Sequence, residues 1–243
     1  MKNRIEQDVT IYEKSNIYEY DNSIMMHYYP KRIVEILKTQ NTYKKIKCLE
    51  LGIGHGYTTE YFATYFDDYT VLDGDEKIIN KFVNEHPDFN VKIVKTYFEE
   101  FCTNEKYDVI ICGFVLEHVD NPDKILNKYK NMLTPNGKIF ITVPNAEALN
   151  RRIGLEGGLL KDIFSLSEHD IRCGHKRYYS MSSLEKEVKD CGLEILVKEG
   201  LFLKPITTAQ MIKLDLKDEV IEGMLKVGKD YPELCLGLLV EAN

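Results

Sequence analysis

One run of residues, IKCLELGIGHGY at positions 46–57, constrains this chain more than any other. Ile46, Cys48, Leu49 and Leu51 make a short apolar segment suited to a buried strand. Gly52, Gly54 and Gly56 follow at alternate positions, and the helix-capable stretch TTEYFATYF comes next. Glycine admits φ > 0 and lets a ligand approach the main chain closely. The start of a helix offers unpaired N–H groups. Together these features describe the strand, glycine loop and helix of a nucleotide-binding unit. The spacing narrows the choice. A dinucleotide fingerprint, G-x-G-x-x-G, places its third glycine where Tyr57 stands. Here the pattern is E-x-G-x-G-x-G, with Glu50 at the strand end, where a carboxylate attracts a cationic amino group and repels a pyrophosphate. A nicotinamide-dependent dehydrogenase is therefore disfavoured. A glycine-rich turn without a ligand is the plain alternative.

The segment E-L-G-I-G-H-G resembles motif I of class I S-adenosylmethionine (SAM)-dependent methyltransferases. That resemblance implies that Gly52, Gly54 and Gly56 bracket the methionine end of SAM, with Glu50 supporting it. Further along, YTVLDGDEKIINKF reads as a second strand ending in Asp73, followed by Gly74 and a helix. Asp73 lies 21 residues after Gly52, the distance at which an acid ending strand two meets a bound ribose. Its two oxygens can take both ribose hydroxyls. Asp75 is a competitor, but as helix N-cap it has a duller role. In VKIVKTYFEEF, the third strand and turn, the family often carries an acid that accepts from the adenine amino group. Tyr97 and Phe98 stand there instead, so either an aromatic ring packs on adenine or the Phe98 backbone reads it.

The stretch YDVIICGFVLEHVDNPDKIL reads as the fourth strand, a break at Gly113-Phe114, and a helix starting at Asn121-Pro122. The resemblance implies that Phe114 joins the cofactor contacts. VLEHV-x-x-P resembles motif IV of small-molecule methyltransferases, including the ubiquinone-pathway type. His118 falls at the carboxyl end of strand four, as either a general base or a histidine holding the loop. LTPNGKIFITVPN resembles the family's L-x-P-G-G-x pattern, with Asn136 in place of a glycine, and supplies strand five. Residues 146–180 then interrupt the alternation and read as a helical insert or lid over the carboxyl edge. They hold two further base candidates, His169 and His175, and four of the chain's six arginines, Arg151, Arg152, Arg172 and Arg177. Arginine binds carboxylate or phosphate in a bidentate way, so a functional cluster implies an anionic acceptor. The alternative is ion pairing with neighbouring acids such as Glu147 and Asp170. Gly192 closes the next helix before strand six; a last helix over about 208–227 and a final antiparallel strand complete the chain.

Residues 1–29 show no clear period, and Pro30 suits the first turn of a helix through KRIVEILKTQ. Tyr20, His27, Tyr28 and Tyr29 either line a pocket mouth or pack this extension onto the core. The expected fold is α/β, a doubly wound, mostly parallel sheet of seven strands. Residues 1–45 form an N-terminal extension and 46–243 the SAM-dependent domain. A net charge of −7 argues against a nucleic-acid partner. No 18-residue apolar run points to a membrane span, and the first residues lack a signal-peptide apolar region. Six scattered cysteines without C-x-x-C pairs read as reduced thiols, hence a cytoplasmic location and no metal site. The expected activity is SAM-dependent methyl transfer to an oxygen or nitrogen of a small, anionic metabolite, such as a sugar nucleotide or phosphate-bearing group. A binding module that only inherited the fold, and a protein or nucleic-acid methyltransferase, are the alternatives.

Overall fold

The computed structural model describes residues 16–40 and 46–243. The glycine loop sits where the chain leaves β1 (Lys47–Leu51) and enters α2 (Tyr57–Ala63). β2 (Asp68–Asp73), α3 (Glu76–Glu85) and β3 (Lys92–Lys95) extend the sheet to one side. β4 (Tyr107–Gly113), α4 (Pro122–Lys130) and β5 (Leu133–Pro144) extend it to the other. After α5 (Leu149–Glu156), α6 (Glu168–Arg172) and α7 (Met181–Asp190) come β6 (Ile195–Leu201), α8 (Thr208–Leu214), α9 (Asp218–Gly228) and β7 (Gly237–Ala242). The strand order is β3-β2-β1-β4-β5-β7-β6, and β7 runs antiparallel to β5 and β6 on either side of it while the other pairs are parallel. The order reverses between β1 and β4, which is where such sheets open a crevice for ligands. This is the expected seven-stranded, doubly wound sheet. No described helix is long and apolar enough to cross a membrane.

Alternation along the strands builds two apolar layers. Leu49, Ile110, Cys112, Ile141 and Val240 pack with Leu126, Tyr129, Leu184 and Val188 of α4 and α7. Their sequence neighbours Cys48, Val109, Ile111, Phe140 and Leu239 pack on the opposite face with Phe62 of α2. That second face is also covered by a helix longer than the sequence suggests. α1 runs Asn16–Thr39, so Pro30 lies inside it rather than at its start. A proline removes a main-chain hydrogen bond and costs about 3 kcal/mol in a helix interior. Burial of Tyr29, Ile33, Val34 and Leu37 against the sheet offsets that cost. The last expected helix is likewise two, α8 and α9, parted at Asp215, whose φ of 46° ends α8 in the left-handed region that Asp tolerates.

Polar ties fix α1 along its length. Arg32 grips Glu199 of β6 with two hydrogen bonds of 2.9 and 2.8 Å. Just beyond the helix end, the Gln40 amide donates to both oxygens of Glu241 on β7 at 2.9 Å. Towards its start, Asp21 accepts from the Lys204 ammonium and the Thr208 hydroxyl. Lys204 is buried, and that carboxylate is its ion-pair partner. Asp21→Ala leaves a buried cation unpaired, and a loss of about 3 kcal/mol and about 6–12 °C in Tm is expected in thermal melts.

Candidate active site

A cavity of about 1020 Å³ opens at the carboxyl ends of β1 to β5, over the reversal in strand order. Its size suits a metabolite-sized ligand. The glycine loop forms one wall, with Gly52, Gly54 and Gly56 at φ of 87°, 56° and 88°. Only residues that accept the left-handed region can make this turn. Behind it stands Glu50, which does not line the cavity. Its carboxylate accepts from Thr58 Oγ1 at 2.8 Å, Thr59 Oγ1 at 2.6 Å, and the Tyr69 hydroxyl. Those donors occupy both oxygens. The carboxylate is a clamp that ties the end of β1 to the start of α2, set behind the glycine loop. Burial pushes the Glu50 carboxyl up to about 7, against the pull of the three hydroxyls.

Asp73 ends β2 and lines the cavity. The N–H groups of Asp75 and Ile53 donate to its two oxygens at 2.8 and 2.9 Å. Each oxygen keeps a lone-pair site free. Burial raises its pKa while these backbone donors lower it. Asp75 is the N-cap of α3, accepting from Lys77 N, and so takes the role read from the sequence. Tyr97 and Phe98 line the next part of the wall. A Cβ on Gly74 would sit 2.8 Å from the Tyr97 ring, so glycine is what lets that ring lie against the main chain.

The far wall comes from the exit of β4. Phe114 takes a φ of 53°, strained for a bulky residue, and its N–H donates to Thr142 O at 2.9 Å and Thr142 Oγ1 at 3.1 Å. The turned chain brings Glu117 and His118 to the cavity, where His175 meets them. Lys176 N donates to Glu117 O at 2.8 Å, which pins the two segments together. The imidazoles of His118 and His175 stand edge to face with centroids 4.8 Å apart. Burial, then the neighbouring His175, pulls the His118 pKa down to about 3; burial also lowers His175. Burial pushes Glu117 up to about 8.

One face of α1 closes the cavity. Asn22, Met25, Met26 and Tyr29 recur at helical spacing, and all four line it. A Cβ on Gly113 would come within 2.4 Å of the Tyr29 hydroxyl, so a glycine at the end of β4 makes room for this side chain. The other three N-terminal candidates point elsewhere. Tyr20 packs with the α8 and α9 cluster, Tyr28 donates to Leu225 O at 3.2 Å, and the exposed His27 bonds Ser23 O beside Tyr57.

The arginines of 146–180 do not converge on the cavity either. Arg151 lies over the Tyr178 ring at 4.3 Å and donates to the carbonyls of Ala146, Ile163 and Ser165. Arg152 pairs with Glu147, and Arg172 is exposed on α6. Arg177 reaches Leu116 O and Asp120 O. His169 Nε2 is 3.3 Å from Cys173 Sγ and is not a lining residue. His175 is the one residue of this segment in the lining. Sequence reasoning passed over Glu117, Met25 and Asn22; the period of 22–29 was the available signal for the last two.

A family model described as a methyltransferase domain matches residues 22–198. The chain belongs to that methyltransferase family. Among curated protein sequences none matches it. Solved structures share the methyltransferase's fold at low identity. An S-adenosylmethionine-dependent methyltransferase from Clostridium acetobutylicum ATCC 824 is 14% identical, with a TM-score of 0.62 over 96% of each chain. The plantazolicin methyltransferase BpumL, solved with S-adenosylhomocysteine (SAH), is 15% identical, with a TM-score of 0.66 over 96% of this chain and 88% of that one. The magnesium protoporphyrin IX methyltransferase of Synechocystis PCC 6803, also with SAH, is 15% identical, with a TM-score of 0.63 over 96% and 90%.

The Glu50 clamp makes the methyltransferase sensitive to pH. Its folded pKa exceeds the ordinary 4.5, so the native state binds more protons than the unfolded chain between those values, and stability falls as pH rises through the window. Glu50→Gln removes this term. The drop in Tm between about pH 5 and about pH 8 is expected to be smaller in the variant than in the parent.

Proposed function

We propose that this methyltransferase uses SAM to methylate an oxygen or nitrogen of a small molecule. The observation that carries the reading is Asp73, held by two main-chain donors between the glycine loop and the aromatic pair Tyr97–Phe98. Its free lone pairs face the cavity and suit the paired hydroxyls of a ribose. When bound, SAM supplies a methyl group on a positively charged sulfur, and displacement leaves a neutral thioether.

The chain's own part is to bind, align and exclude. The glycine turn leaves main chain open to the methionine end, with Glu50 bracing it from behind. Tyr97, held against Gly74, offers an aromatic face for the adenine. Acids in the lining, Asp73, Asp75, Glu76, Glu99 and Glu100, outnumber the lysines Lys77 and Lys95, which favours a ligand carrying net positive charge. The acceptor then enters from the side of Tyr29, Phe114 and Pro144, where His118 and His175 stand neutral near pH 7 and can take a proton from a hydroxyl. A ring lowered to about 3 takes it weakly. Alignment therefore supplies much of the rate. None of the four arginines reaches this end, so an anionic acceptor draws no support from them.

Calorimetric titration with SAH tests the reading. Binding by the parent protein and an about 10–150-fold weaker affinity in Asp73→Asn are expected, the span of a lost hydrogen bond to a charged group. Absence of SAH binding in folded protein, or an unchanged affinity in the variant, would sink the proposal.

A further inference from the structure

Among the described residues, one group of possible ligand atoms stands out. A carboxylate oxygen of Glu117, a ring nitrogen of His118 and a ring nitrogen of His175 all lie within 4.8 Å of one another. Glu117 is 1% exposed, and its Oε2 has no hydrogen-bond partner. Native proteins seldom leave the oxygen of a buried carboxyl group unsatisfied. The nearest guanidinium does not answer the need, because Arg177 donates to the carbonyls of Leu116 and Asp120. All three side chains line the cavity, at the end away from Asp73.

We propose that Glu117, His118 and His175 bind a divalent first-row metal ion at the acceptor end of the cavity. Two imidazoles and one carboxylate are the donors of zinc, manganese, iron or cobalt sites rather than of calcium sites. Tetrahedral ligands at 2.0–2.2 Å from one ion lie about 3.3–3.6 Å apart, so the side chains must draw in by up to about 1.5 Å, a matter of rotamer adjustment, to close the set. The backbone already holds the parts in register, through the bond from Lys176 N to Glu117 O. Asp170 is placed to orient His175 from behind, with Oδ1 3.7 Å from Nδ1, as carboxylates do for metal-bound histidines. With three protein ligands, the remaining positions face the cavity.

The inference deepens the methyl-transfer reading and rests on it for the acceptor. An acceptor with oxygen donors, such as a vicinal diol or a hydroxy acid, would bind the ion directly. The ion lowers the pKa of the bound hydroxyl. Its proton then leaves to solvent while the oxygen–methyl bond forms and the methyl–sulfur bond breaks with its pair on sulfur. With the ion bound both imidazoles act as ligands, so the proton-accepting role they hold without it passes to solvent.

The test uses the full chain, stripped with EDTA, dialysed and titrated with cobalt(II) chloride, with SAH calorimetry on the same samples. One equivalent of cobalt should bind with visible ligand-field absorption and be displaced by zinc(II). His118→Gln and His175→Gln should each weaken binding by more than about 100-fold, beyond the loss seen when only an outer partner is removed. His86→Gln, away from the cavity, should bind as the parent does. Folded protein that binds SAH but no cobalt, or cobalt affinity unchanged in both variants, would overturn the metal site and leave the cofactor reading standing. Cobalt held by these ligands in protein that takes no SAH would support the site and sink the cofactor reading instead.

Discussion

The buried carboxylate of Glu50 is the interaction on which the site's geometry depends. It sits at the end of β1 and gathers the hydroxyls of Thr58, Thr59 and Tyr69, so strand, helix start and the neighbouring strand are held at one point. Three left-handed glycines bridge the same span. Such a loop has little intrinsic preference for one shape, because glycine loses more freedom on folding than any other residue. The clamp supplies what the glycines lack. Its cost is a desolvated carboxyl, seen in the raised pKa.

Around this fixed point the cavity is assembled from parts far apart in sequence. The glycine loop and Asp73 form one side. The left-handed turn at Phe114 swings Glu117 and His118 onto the other. α1 closes it with a face of mixed polar, sulfur and aromatic side chains, tied down by Asp21, Arg32 and Gln40. The N-terminal helix is therefore part of the cavity wall. Its contact with Gly113 through Tyr29 couples the position of the helix to the end of β4.

The 146–180 segment shows how composition can mislead. Its arginines look like an anion-binding cluster when read along the chain. In space, Arg151, Arg152 and Arg177 are used to hold the segment's own carbonyls and those of the loop after β4. Irregular backbone carries many carbonyls without ladder partners, and a guanidinium can satisfy several at once. What the segment brings to the cavity is a single histidine, His175, set against Glu117 and His118 by a main-chain bond.

Sequence by itself determined the sheet, its seven strands, the glycine loop and the position of Asp73 at the end of β2. Those follow from local rules: runs of apolar residues, turn residues at fixed offsets, and a spacing between strands one and two that one helix sets. It did not reveal the full length of α1, since Pro30 opposes that helix and only burial against the sheet outweighs it. It did not show the Glu50 clamp, because nothing local says which way a strand-end carboxylate turns or which hydroxyls will meet it. The pairing of Glu117 and His118 with His175 was out of reach for the same reason. Fifty-odd residues separate them, and only the tertiary structure brings their side chains to one end of the cavity.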